Sequence, residues 1–151
     1  MKTLNPSDLV AVVDAIDPDA YAADDYVTAW IDMGTFQSLM GVVLAGALGS
    51  SATIDAKFEQ AKDAAGTGVK DVADSDITQL TQAGTDDSDK QAVIELHAAD
   101  LDLANEFTHA RLSVTVGTAT SDMGAVLLGL NPQYMPASDN DATSVAEIVT
   151  V

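Results

Sequence analysis

Ala52-Thr53-Ile54-Asp55-Ala56-Lys57-Phe58-Glu59 alternates apolar and polar side chains over its whole length. An extended backbone repeats its side-chain direction every two residues, so this pattern predicts a strand with one buried and one solvated face. Ala52, Ile54, Ala56 and Phe58 are its expected core side, and Thr53, Asp55, Lys57 and Glu59 its solvent side.

The same period returns on both sides of this stretch. Gln91 to Ala99 sets Ala92, Ile94, Leu96 and Ala98 inward and Gln91, Val93, Glu95 and His97 outward, and Ala110 to Gly117 alternates Ala110, Leu112, Val114 and Val116 with Arg111, Ser113 and Thr115. Towards the N-terminus, Val27, Ala29, Ile31 and Met33 alternate with Tyr26, Thr28, Trp30 and Asp32. Phe36 to Leu44 and Met123 to Leu130 are more uniformly apolar, as central strands are. The first of these is expected to form a hairpin with Tyr26–Met33 across Gly34-Thr35, and Ile77 to Gln82 reads as a shorter, mixed strand. Turn residues cluster between the runs, at Gly46–Ser51, Ala83–Asp89 and Thr118–Asp122. About seven to nine strands at this spacing predict an all-β fold, an antiparallel β-sandwich of jelly-roll or Ig-like type.

The flanks read differently. Leu9, Val12, Val13 and Ile16 fall at helical spacing behind Ser7, with an extended course the alternative, and Asp17-Pro18 ends any helix there. Residues 1–21 are therefore expected to be an N-terminal arm outside the sheet, 22–131 the sandwich, and 132–151 a C-terminal tail. The β-branched end of that tail, Val145 to Val151, favours adding a strand to some edge, its own or a neighbour's.

Composition narrows the function classes. At 151 residues and 47% hydrophobic content the chain suits one domain, and 5% aromatic content makes its core one of small aliphatic side chains. The absence of Cys excludes a disulfide framework, a thiol nucleophile and a thiolate zinc site. Leu39 to Leu48, the longest apolar run, falls short of the ~20 residues of a membrane-spanning helix. Met1 to Pro6 has one Lys and no apolar run behind it, so the expectation is a protein made and used without Sec export. Six Lys plus Arg against 24 Asp plus Glu give a net charge of −18, which repels phosphates and anionic headgroups; neither nucleic acid nor membrane is an expected partner. Such acidity suits a saline habitat, or a surface kept soluble at high local concentration.

Candidate chemistry is sparse. A glycine-flanked serine elbow is absent, and His97 and His109, the only histidines, fall at or near strands with no evident triad partners. Gly66-Thr67-Gly68 lacks the spacing and the Lys-Ser/Thr pair of a phosphate cradle. Asp24-Asp25 and Asp86-Asp87 cannot be singled out as a glycosidase dyad in so acidic a chain. Asp86, Asp87 and Asp89, or Asp139 and Asp141, offer hard oxygens for calcium but fewer than the six or so it needs. Trp30 reads as a sheet-packing residue. No enzyme activity, catalytic residue, cofactor site or metal site is expected.

Val12-Val13-Asp14-Ala15-Ile16, the strand Ala52–Glu59 running into Gln60–Thr67, the step Val72-Ala73-Asp74 and the strand Phe107–Thr118 together resemble the small β-sandwich auxiliary head proteins, decoration or cement proteins, of tailed bacteriophages. The likeness spans most of residues 8 to 130. It implies a virion structural protein made in the host cytoplasm and placed on the outer surface of the head, with the major capsid protein and further copies of itself, often as trimers, for partners. It carries over no functional residue. Leu4–Tyr21 and Pro132–Val151 are the candidate contact elements, the alternative being arms that fold back to cover an edge of their own sandwich. Two alternatives stand beside it: a tail or neck component of the same virion, and a carbohydrate-binding module using Trp30, Tyr26 and acidic loops, which the low aromatic content disfavours.

Overall fold

The alternating stretch is strand β5 (Thr53–Ala61), with Ile54, Ala56 and Phe58 at most 2% exposed and their odd-numbered neighbours facing water. The structure, a computed structural model, describes residues 3–151; Met1 and Lys2 of the expected arm lie outside them. A single helical turn, α1 (Pro6–Leu9), precedes β1 (Val10–Tyr21), β2 (Asp24–Val27), β3 (Ile31–Asp32) and β4 (Phe36–Ala45). After β5 come β6 (Lys70–Asp71), β7 (Leu80–Thr81), β8 (Gln91–His97), β9 (His109–Gly117) and β10 (Ser121–Pro132).

The chain pairs as one long hairpin: β1 with β10, β2 and β3 with β9, β4 with β8, and β5 with β6 and β7, all antiparallel. Two further pairings, β10 with β4 and β9 with β5, roll that hairpin into two sheets of order β1-β10-β4-β8 and β2-β9-β5-β6. This is the jelly-roll form of the expected sandwich. Between the sheets lie Leu39 and Val43 from β4, Ile54 and Phe58 from β5, Leu96 from β8, Leu112 and Val114 from β9 and Leu127 from β10.

With three Phe and one Trp in the chain, the core is filled by close sheet contact instead of bulk. A Cβ at Gly129 would sit 2.7 Å from the Phe36 ring, and one at Gly41 would sit 3.0 Å from Leu112. Phe36 is 2% exposed and has little room to yield. Gly129→Ala is expected to cost about 1–3 kcal/mol in chemical denaturation, as overpacking does, and an unchanged midpoint would contradict this packing.

Three sequence expectations need correction. Residues 10–21 are not an appendage outside the sheet: they form edge strand β1 along almost the whole of β10. The pairing register slips between Val12 and Asp14, so Ala11, Val13 and Ile16 all end up buried, and the bulge disguises a period of two as the three-to-four spacing of a helix. The stretch Tyr26–Met33 is not one strand. Thr28, 3% exposed, offers its Oγ1 to the Leu112 amide at 3.0 Å in place of a backbone carbonyl, which separates β2 from β3. Nor do β3 and β4 make a hairpin, because the turn at Gly34-Thr35 carries the chain from one sheet to the other.

The tail divides in two. Ala137 is fully buried, the Val12 amide donates to Asp141 Oδ1 at 2.7 Å, and the Ala142 amide donates to Val12 O at 2.7 Å, so residues to 142 belong to the folded body and cover the β1 edge. Beyond Val145 the chain is exposed and forms no strand.

Candidate interaction face

Strands β4 and β10 are apolar at both parities of their alternation, yet only one side of their sheet faces the core. The other side is open. Cross-strand register sorts its residues into rows running from β1 to β8. The first row is Ala15, Val126, Val42 and Val93; the second is Val12, Leu128, Met40 and Glu95; the third is Val10, Leu130, Ser38 and His97. Leu44 extends the face beside Gly124 and Gln91. Val93 is 56% and Leu44 46% exposed, the other residues of the rows are partly or fully exposed, and Gly124 is buried. At strand and residue spacings of ~4.8 and ~3.3 Å the rows cover roughly 400–500 Å². A single carboxylate, Glu95, interrupts them, on a chain carrying 24 acidic residues. A recess of about 480 Å³ lined by Pro18, Leu44, Asp122 and Gly124 indents the Leu44 end.

The outer face of the second sheet is the opposite in character. Arg111 Nε meets Glu59 Oε2 at 2.7 Å, Lys57 Nζ meets Asp71 Oδ2 at 2.8 Å, Gln79 reaches Asp55 at 2.7 Å, and Thr115 donates to Asp25 at 2.5 Å. The Asp71 hydrogen bond holds the Lys57 ammonium above its usual range, outweighing its partial desolvation. This polar face satisfies itself with its own partners.

The residues weighed for chemistry are dispersed. His97 Nδ1 lies 2.9 Å from Ser38 Oγ and His109 Nδ1 lies 3.0 Å from Thr108 Oγ1, on different sheets and both at the surface. Asp86 accepts the Ser88 hydroxyl and amide, Asp87 accepts Lys90 and the Thr81 amide, and these bonds hold both carboxyls below the usual range. Asp141 is spent on the Val12 amide. These oxygens stiffen turns and edges, and among the described residues no three His, Asp or Glu groups converge to hold a metal. Gly66 packs against the Trp30 indole edge while Arg111 covers the ring at 4.4 Å. Tyr26 pairs with Tyr21 at 4.3 Å and both lean on the core. These aromatics are engaged in packing.

The sequence signal for the open face was present in the two-sided apolar character of β4 and β10. That character marks them as central strands without showing that one side is open, because composition does not say how many layers cover a sheet.

No family model matches the chain, and no curated protein matches it. Among solved structures it is similar to a chain of broad bean stain virus, at 14% identity and TM-score 0.43, covering 90% of this chain and 96% of that one. It is similar to a chain of the Gt strain of infectious bursal disease virus, at 14% identity and TM-score 0.48, covering 89% of this chain and 37% of that one. A xylan-binding CBM22-1 domain from Paenibacillus barcinonensis aligns at 12% identity and TM-score 0.38, covering 76% and 81%.

Proposed function

We propose that this chain is a virion structural protein, a decoration or cement protein that seats the open face of its β1-β10-β4-β8 sheet on the major capsid protein, on the outside of a tailed-phage head and as homotrimers. The observation that carries the reading is that largely apolar face, with Glu95 its one carboxylate, on a molecule of net charge −18. Exposed apolar patches of this size are often functional, and within its rows a partner would meet one acidic side chain, Glu95. The resemblance of residues 8 to 130 to decoration proteins supplies the kind of partner. The jelly roll itself does not decide, since capsid and lectin domains share it.

Magnitudes favour a multivalent role. Removing ~450 Å² of apolar surface from water is worth roughly 11 kcal/mol at ~25 cal/mol per Å². Association costs about 4–15 kcal/mol in lost freedom and ordering, so one subunit alone would bind marginally. Repeated identical contacts on a shell convert marginal binding into lasting attachment. The charge fits the outer side, where salt screens it over ~10 Å at 0.1 M, better than the side facing packaged phosphates.

The test is reassembly. Purified chain added to heads stripped of it should return saturably and raise their resistance to heat or dilution of salt; heads that neither bind it nor gain resistance would overturn the reading.

A further inference from the structure

The sheet edges are unequally protected. On β1, residues 137–142 cover Val12, a bulge breaks the register, Pro18 removes a donor, and the Ala15 and Ala20 amides are taken by the carboxylates of Asp14 and Asp19 at 2.8 and 2.7 Å. These are the devices by which natural edges avoid pairing with other chains. In the other sheet the exposed edges are short: β2 has four residues, and β3, β6 and β7 have two each.

Strand β8 carries one of these devices, at its end, where Asp100 takes the His97 amide. Its register with β4 is unbroken from Gln91 to His97, with no Pro and no bulge. The Ala45 amide donates to Lys90 O at 2.8 Å, while the His97 amide turns away from β4 to Asp100 at 2.8 Å. Antiparallel alternation then directs the backbone groups of Ala92, Ile94 and Leu96 to β4 and those of Gln91, Val93 and Glu95 outward. Among the described residues nothing bonds those outward groups.

An unpaired strand former is present elsewhere. In Val145–Val151 the Val145 amide bonds to Ala142 O, and no backbone hydrogen bond follows it. Ile148, Val149 and Val151 are 50%, 73% and 120% exposed, and Glu147 is the segment's one acidic side chain. This tail cannot serve its own β8. Ala142 is held at β1, and a strand added beyond β8 lies four spacings away, ~19 Å across the sheet. Val145 follows the anchored Ala142 by three residues, a reach of only ~10 Å at ~3.3 Å each, so Val145–Val151 cannot lie along the β8 edge of its own copy.

We propose that the Val145–Val151 segment of one copy adds as a strand to the β8 edge of a second copy. Each copy gives from the β1 side of its sheet and receives at the β8 side, a head-to-tail contact that forms a ring when the rotation between copies closes and a filament when it does not. The added strand lengthens the apolar row that ends at Val93, and backbone pairing supplies the affinity. The inference rests on the self-association named in the proposed function and not on the capsid site.

The test uses the isolated full-length chain, in salt that screens its charge, and two variants. One lacks residues 146–151. The other is Val93→Pro, which removes an outward amide and leaves the β4 ladder intact, as Pro on an edge strand can. Sedimentation should show an oligomer for the parent chain, monomers of unchanged circular dichroism for each variant, and a one-to-one heterodimer when the variants are mixed, because one keeps the edge and the other the tail. A monomeric parent chain, or an oligomer that survives the deletion, overturns the proposal. If Val93→Pro fails to fold, a synthetic Val145–Val151 peptide added to the deletion variant should slow amide exchange at Val93 and Glu95 about tenfold or more, and unchanged exchange there overturns it. An oligomer that survives the deletion while stripped heads still bind the chain would remove strand exchange and leave capsid docking in place.

Discussion

Phe58→Ala is expected to cost about 3–5 kcal/mol, a large share of the 5–15 kcal/mol that holds a domain of this kind together. Phe58 is fully buried at the middle of β5, in a core made mainly of aliphatic side chains, with Phe36 and Phe107 its other buried rings. Its backbone is fixed on the side away from β9, where its amide donates to Ser75 Oγ at 3.0 Å and its carbonyl accepts the Val72 amide at 2.9 Å. The strand cannot easily settle into the space left by the ring, so the cavity term should be near its full value. Urea denaturation in the native salt measures it. A loss under about 1 kcal/mol would mean that the two sheets are not packed across this residue.

Val42→Glu should leave the fold standing and abolish attachment to particles. Val42 sits on the open face between Val126 and Val93, where a carboxylate can stay in water while the chain is free. Seating that face would bury the charge without a partner, at about 3–5 kcal/mol, or roughly 10²- to 4 × 10³-fold in affinity. Co-sedimentation with stripped heads reads the effect, with unchanged circular dichroism as the check on folding. Asp55→Asn on the opposite, polar face should bind as the parent chain does. If Val42→Glu binds normally, or Asp55→Asn fails to bind, the docking face has been assigned to the wrong sheet.

What the sequence disclosed was set by how locally each feature is encoded. The strands β5, β8 and β9 were legible because one face meets the core and the other meets water, so the register shows in every second residue. Strand β1 was hidden by its bulge at Val12–Asp14, and the break at Thr28 turned on one hydroxyl replacing a carbonyl, which no propensity encodes. Pairing order was also out of reach, since the contact of β1 with β10 joins residues more than a hundred positions apart. For the interaction face, the residues were plain in the runs of β4 and β10, and the missing fact was that nothing among the described residues covers their second side. For the tail, the propensity of Val145–Val151 was legible, while its separation from the edge it suits depended on the anchoring of Asp141 and Ala142 to Val12.

The central claim, a decoration protein docked by its apolar sheet face, is tested most directly by a density map of intact particles. The account predicts this chain on the outer surface of the head, with Val42, Leu128 and Val126 against the major capsid protein and the Arg111–Glu59 face towards solvent. Density for the chain inside the shell or in the tail tube, or a docked subunit with its apolar face open to water, would contradict it.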